Sequence, residues 1–316
     1  MLFTPMVRLI YQRLLSLIFV LFSITFLTFG VSALAPGDPI QNLMGGRRDP
    51  VRYQFLRHLY GLDQPWYQQY FSYVGNLLHG NLGYSFKYPE RPVWDLIASG
   101  VPVSLEIGLA ALSLSVLVGV PVGVYSALRQ NTWRDTALMT LMLALYSLPS
   151  FVLIPLLWVV DLALYNAKLP SLPVAGWGRP AHLVLPVLVL AAANVGYMAR
   201  LMRGSVLEML RQDFVRTARA KGVPERLVIQ RHVLRNALLP LLTVLGPATA
   251  FLVTGAFVVE NLFAIPGVGF LAIQAVGQRD YPVIQATTIL LALAVVIMNL
   301  LTDLAYMVAD PRMRVD

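Results

Sequence analysis

Residues 213 to 240, DFVRTARAKGVPERLVIQRHVLRNALLP, form a polar, arginine-rich stretch between two strongly apolar segments. The pattern is that of a helical hairpin. Asp213 suits the cap of a helix running from Phe214 to Lys221, Gly222 the left-handed residue after it, and Pro224 the first turn of the helix that follows. If exposed, the small residues Thr217, Ala218 and Ala220 let another protein's backbone approach closely, and Arg216, Arg219 and Lys221 suit an acidic rim. Ordering about 37 polar residues is costly in entropy unless something packs on them. The alternative is an ordinary solvated basic loop.

The flanking segments set the class. Of 316 residues, 57% are hydrophobic and only 13% charged, with a mean hydropathy of +0.67, more than a soluble core of this size needs; the chain reads as an all-α, polytopic membrane protein. A crossing needs about 20 apolar residues. Six stretches qualify: 14–35, 101–128, 137–160, 182–200, 237–259 and 283–308. Pro102, Pro121, Pro149, Pro155, Pro186 and Pro247 fall within them; membrane bundles tolerate such prolines because neighbouring helices satisfy the freed carbonyls.

Arg8 and Arg13 ahead of an apolar run ending Ala33-Leu34-Ala35 could pass for a signal peptide. The run from Leu14 to Val31 exceeds the about 7 to 15 residues of a signal core, which favours a retained span. With the N-terminus inside, 15 of the 24 Lys and Arg fall in 65 inner-loop residues and 9 in 109 outer ones, so both termini are expected to be cytoplasmic. That bias, with attraction to anionic lipid, accounts for a net charge of +8 without nucleic acid. The chain has no cysteine, which removes disulfide and thiol chemistry.

Residues 36 to 100 are too polar to span. Asp49-Pro50 is a capped helix start and Gly61 a stop, predicting a helix over 50–60. A second helix is expected from Pro65 to Leu78, carrying Trp66, Tyr67, Tyr70, Phe71 and Tyr73. Those aromatics read equally as an interfacial belt at headgroup level and as a platform for an extracytoplasmic protein, with Trp66, Tyr67, Tyr70 and Tyr73 the contact residues.

Several chemistries are disfavoured. No Gly-Lys-Ser or Gly-Lys-Thr occurs, so a P-loop is absent. His58, His79, His182 and His232 lack metal-ligand spacing, and no HExxH or Gly-x-Ser-x-Gly is found. An ion-coupled carrier places ionisable relays near mid-bilayer, yet the only carboxylates within the expected spans are Glu106 and Asp303, each within about two turns of an end. Asp303 reads best as the partner of an arginine on the cytoplasmic side; Glu106 would sit near the outer mouth, where a peptide's amino group could enter.

The hairpin resembles the ATPase-docking loop of binding-protein-dependent ABC importer permeases. Their general pattern, Glu-Ala-Ala, three residues, then Gly, is altered here to Arg216-Thr217-Ala218 ahead of Gly222. The departures match the dipeptide, oligopeptide and nickel branch, as do Arg216 to Gly222 and Arg235 to Pro240. Thr28-Phe29, Ala35 to Pro39, Gly61 to Pro65, Gly80 to Ser85, Glu260 to Phe263, Ile265 to Gly269 and Asp310-Pro311-Arg312 are also similar to that branch, in order along the whole chain.

The resemblance implies a type I ABC importer transmembrane fold: a first helix in 1–35, an extracytoplasmic, partly helical loop region in 36–97, a core in 98–308 with a cytoplasmic docking hairpin over 204–236, and a cytoplasmic tail in 309–316. It implies docking through Asp213, Phe214, Val215, Arg216, Thr217, Ala218, Arg219, Ala220, Lys221 and Gly222. The path would lie against a homologous second permease, with Glu106, Asn194, Tyr197 and Asn299 as candidate lining; for Asn194, Tyr197 and Asn299, contacts within the bundle are an equal explanation. The other implied partners are two cytoplasmic ATPases, an extracytoplasmic solute-binding protein and membrane lipid. No cofactor belongs to this chain; ATP and Mg would sit on the ATPases. The expected function is peptide import across the bacterial cytoplasmic membrane by alternating access; nickel chelates or glutathione are the alternative cargo, and an ion-coupled carrier the alternative class.

Overall fold

The computed structural model describes residues 3–35, 38, 40, 41, 44 and 49–309; Asp310-Pro311-Arg312 and Pro36, Gly37 and Pro39 of the resemblance lie outside them. The described residues fold into helices joined by turns, with one isolated antiparallel bridge between Tyr84 and Pro92. Helix α1 is Phe3–Leu34. The short helices α2, Pro50–Leu59, and α3, Trp66–Leu78, follow. Asp49 caps α2 by accepting from the amides of Val51 and Arg52, and Gly61 turns away with φ +65°, a left-handed value that glycine adopts freely. Helix α4 is Val93–Leu128.

The stretch expected as one span over 137–160 is two helices, α5, Trp133–Ser147, and α6, Ser150–Asn166, bent by 110°. Leu148 is extended, φ −83° and ψ 117°, immediately before Pro149. A residue preceding proline is driven out of the helical region, and proline donates no amide to carry a helix through. Pro155, inside α6, is accommodated.

Helix α7, Ala181–Leu210, continues ten residues past the expected end at 200. After it come α8, Asp213–Ala220; a second arm made of α9, Glu225–Leu227, a π-helical segment Val228–Leu234 and α10, Arg235–Ala237; then α11, Leu239–Leu262, α12, Val268–Gln278, and α13, Tyr281–Ala309. Among the described residues four helices are long and apolar enough to cross a membrane, five if the bent pair counts as one crossing.

The core lies where α4, α6, α7 and α11 meet, around Ile107, Ile154, Leu185, Val189, Val259 and Phe263. Helices α4 and α7 touch through Gly119 and Gly123. A Cβ on Gly123 would stand 2.4 Å from the Ala199 carbonyl oxygen, and one on Gly119 3.0 Å from Met198 Cβ; the small residues let the helices approach. Gly196 does the same for α5, at 2.2 Å from the Met142 carbonyl. Ile18, Phe19, Phe22, Leu27 and Val31 on α1 are exposed, as a lipid-facing surface requires. Arg13 pairs with Asp303 at 2.5 Å, tying α1 to α13, the arginine partnership expected of Asp303.

Candidate functional site

Helix α8 rests on a small apolar core of its own. Val215 and Ala218, one turn apart, are buried against Ala127 of α4, Met202 and Val206 of α7, and Val228, Val233 and Ala237 of the second arm. Its remaining residues, Asp213, Phe214, Arg216, Thr217, Arg219 and Ala220, are exposed. This corrects the expectation that Ala218 is presented to a partner: it is the helix's foothold, and the accessible apolar knob is Phe214. The cap also differs. Gln212 is the extended residue before the helix, and Asp213 occupies the first helical position, its backbone carbonyl accepting from the Thr217 hydroxyl at 2.9 Å.

The C-terminal end of α8 closes as a Schellman motif. Val223 N–H donates to the Ala218 carbonyl at 3.2 Å and Gly222 N–H to the Arg219 carbonyl at 2.9 Å, with Gly222 at φ +75°. Val223 also packs on the same core as Ala218, the hydrophobic contact that accompanies this motif. Arg219 grips Glu225 through two bonds of 3.0 and 2.7 Å across the turn. That neighbour holds the Glu225 carboxyl below its ordinary value.

The π-helical register of the second arm was not anticipated. Val228 and Val233 are both fully buried, yet five residues of α-helix would set them about 140° apart. The wider i to i+5 turn brings both onto the inward face, and such segments often mark functional positions. No local composition signals it.

A polar joint beneath the hairpin was also missed. The Asp135 carboxylate receives Arg203 Nε at 2.8 Å and Nη2 at 2.7 Å, the Asn131 amide at 3.1 Å, and the Ser126 hydroxyl. One nearly buried carboxylate therefore fastens the end of α4 and the start of α5 to the part of α7 that carries α8. Arg203 lies 68 residues from Asp135; a signal was available in Asp135 following the Thr132 cap.

At the opposite end of the bundle, Glu260 is fully buried and accepts from the Ser104 hydroxyl at 2.6 Å and Phe270 N–H at 3.0 Å. The Ser104 oxygen in turn accepts from Val268 N–H at 2.9 Å. A Cβ at Gly267 would fall 2.3 Å from the Glu260 carboxylate, so the Ile265 to Gly269 turn is wrapped on that group. The helices run further than the expected spans and take in Asp161 as well, which accepts from Leu172 N–H at 2.7 Å. Both carboxylates are occupied by hydrogen-bond donors of the chain itself.

The other candidate residues are dispersed. Glu106 is exposed on α4; Asn194 is buried and donates to its own helix at the Leu190 carbonyl, 3.4 Å; Tyr197 stacks on Tyr146 at 6.0 Å; half-buried Asn299 lies against Gly246. The aromatic group of α3 divides. Trp66 and Tyr67 are exposed, whereas Tyr70 is buried edge-on to Phe26 and Phe29, with its hydroxyl 3.3 Å from that of Thr25, and Tyr73 stacks on Phe29. Tyr70 and Tyr73 therefore anchor α3 to α1. Among the described residues no group of His, Asp and Glu could hold a metal ion.

Comparison with known proteins adds the lineage. The family described as "Binding-protein-dependent transport system inner membrane component" matches residues 119–315, and its N-terminal companion matches 6–108. The dipeptide transport system permease protein DppB of Lactococcus lactis subsp. cremoris is 38% identical over 309 residues, 98% of this chain and 100% of that one. The oligopeptide transport system permease proteins OppB of Haemophilus influenzae and Escherichia coli are 39% and 40% identical over 98% of this chain and the whole of theirs. Among solved structures, an amino acid ABC transporter with histidines aligns at a TM-score of 0.51 and 16% identity, covering 67% of this chain and 93% of that one, a likeness of fold. With the family's pattern spanning nearly every residue, and with a hairpin seated on the end of the bundle, this chain belongs to the binding-protein-dependent transport system inner membrane components.

Proposed function

We propose that the chain is a permease subunit that moves short peptides across the bacterial cytoplasmic membrane by alternating access. The observation that carries this reading is identity near 40% over 98% of the chain to permeases named for dipeptide and oligopeptide transport. In this reading α1, α4, the α5–α6 pair, α7, α11 and α13 make six crossings, both termini are cytoplasmic, and residues 36–97 lie outside. ATP and Mg bind two partner ATPases, whose grooves receive the exposed face of α8 around Phe214. A homologous permease completes the path, and a solute-binding protein delivers and selects the cargo.

The physical support is the mounting of the hairpin. Displacement of α8 is transmitted through Val215 and Ala218 into α7 and the second arm, and through Arg203 and Asp135 into α4 and α5. The chain alone is expected to be inert: co-purification recovers a second permease and ATPases, and uptake in liposomes requires them with ATP. ATP-independent peptide transport by this chain alone would refute the proposal in favour of a carrier.

A further inference from the structure

Helix α3 carries no charged residue, and its turns sort by face. At about 100° per residue, Gln69, Ser72 and Asn76 share one side, which lines a cavity between α1, α2, α3 and α13. Tyr70 and Tyr73 meet α1. Tyr67, Phe71, Val74 and Leu78 fall within about 60° of one another; Phe71 and Leu78 are 70% and 81% exposed, so no described residue covers that apolar stripe. The height at which α3 meets α1 says what does. The apolar run of α1 begins after Arg13, and Ala35, with the first turn of α13, lines the cavity at its outer end. Counted from Arg13, Thr25 stands about 18 Å and Phe29 about 24 Å along a helix that must cross about 30 Å of hydrocarbon. Tyr70 packs on Phe26 and Phe29, with ring centroids 5.6 and 5.4 Å away, and Tyr73 stacks on Phe29. The middle of α3 therefore lies about 6 to 12 Å below the outer boundary, close to the about 5–10 Å at which amphipathic helices bury their apolar face. The hydroxyls at that depth satisfy each other, as surroundings without water require: Thr25 donates to the Phe22 carbonyl at 2.9 Å, leaving its oxygen to accept from the Tyr70 hydroxyl at 3.3 Å. A row of rings, Phe22, Phe26, Tyr70 and Phe71, with successive centroids 6.4, 5.6 and 6.0 Å apart, joins the lipid-facing surface of α1 to the exposed stripe.

We infer that α3 is sunk in the outer leaflet of the membrane, its stripe of Tyr67, Phe71, Val74 and Leu78 covered by lipid acyl chains rather than by an extracytoplasmic protein. The inference rests on α1 crossing outward from a cytoplasmic N-terminus, as in the reading above, and is independent of the cargo. Residues 36–97 stay on the outer side of the membrane; α3 ties them to the bilayer while its polar face is turned to the cavity.

The test uses the whole transporter in phospholipid nanodiscs, with Phe71→p-benzoylphenylalanine, Leu78→p-benzoylphenylalanine and Asn76→p-benzoylphenylalanine made one at a time as photo-crosslinkers. All three side chains are exposed, so each replacement leaves the packing intact. After illumination, mass spectrometry of this subunit counts phospholipid adducts with and without saturating solute-binding protein. Expected are adducts from positions 71 and 78 that the added protein does not reduce, and about tenfold fewer from position 76, on the opposite side of the helix. Import-competent complexes without lipid adducts at 71 and 78, adducts displaced by crosslinks to the solute-binding protein, or equal labelling from position 76 would overturn the inference. The expected adducts in a complex that imports no peptide would sink the peptide reading and leave this one standing.

Discussion

Replacing Gly222 by valine isolates the conformational demand of the turn that closes α8. At φ +75° a Cβ would meet nothing within 4 Å, so no clash enters and the cost is that of the left-handed backbone, about 1–2 kcal/mol for an L-residue. Helix α8 has eight residues, too few to be stable alone; it depends on Val215 and Ala218 below and on the Schellman bonds at its end. If the strain is relieved by undoing that turn, the docking-competent population falls roughly 5- to 30-fold. Titrating purified ATPase onto detergent-solubilised transporter should show that loss, with uptake in proteoliposomes falling in parallel and membrane insertion unchanged. Gly222→Asn should recover most of both, because asparagine tolerates the left-handed region. A valine variant with wild-type ATPase affinity, or asparagine and valine impaired alike, would refute the reasoning.

Two further outcomes follow from the ion pairs beneath and beside α8. Asp135→Asn should lower stability by about 3 kcal/mol, because it strands a partly buried guanidinium, and adding Arg203→Met should restore part of the loss; thermal melting in detergent checks this, and strictly additive losses would count against the joint. Glu225, depressed by Arg219, contributes stability fully above its ordinary value of 4.5 and loses it as pH falls through the lower folded value. For so exposed a pair the effect is about 0.5 kcal/mol, so Glu225→Gln should reduce hydrogen-exchange protection of Gly222 and Val223 at pH 7, with the difference fading below pH 4.5 and in high salt.

What the sequence made legible was local grammar. Asp49, Gly61 and Gly222 do in the structure what their chemistry dictates, because a cap or a left-handed turn is decided within a few residues. Pro149 and Pro155 show the limit: both interrupt one apolar run, yet the first ends a helix and the second sits inside one. A window of hydropathy scores the two prolines alike. Within the candidate site the extent of α8 was readable but its rotation was not. Whether Ala218 or Phe214 faces outward depends on the valines of the second arm, and their π-helical register is set by packing. Asp135 and Arg203 meet across 68 residues, and Tyr70 and Tyr73 turn from a surface group into an anchor only once α1 lies beside them.

The mounting of α7 also has a mechanical side. Thirty residues make a rod about 45 Å long, and its close contacts with Met142, Gly119 and Gly123 fall at Gly196 to Arg203. That clamp is a fulcrum about 15 Å from the hairpin end and about 30 Å from the far end at Ala181. If α7 pivots there as a stiff rod, the arm lengths make a two-to-one lever: a push of about 1 Å at α8 would reappear as about 2 Å in the opposite direction at the other end, where Leu185 and Val189 would carry it into the main core.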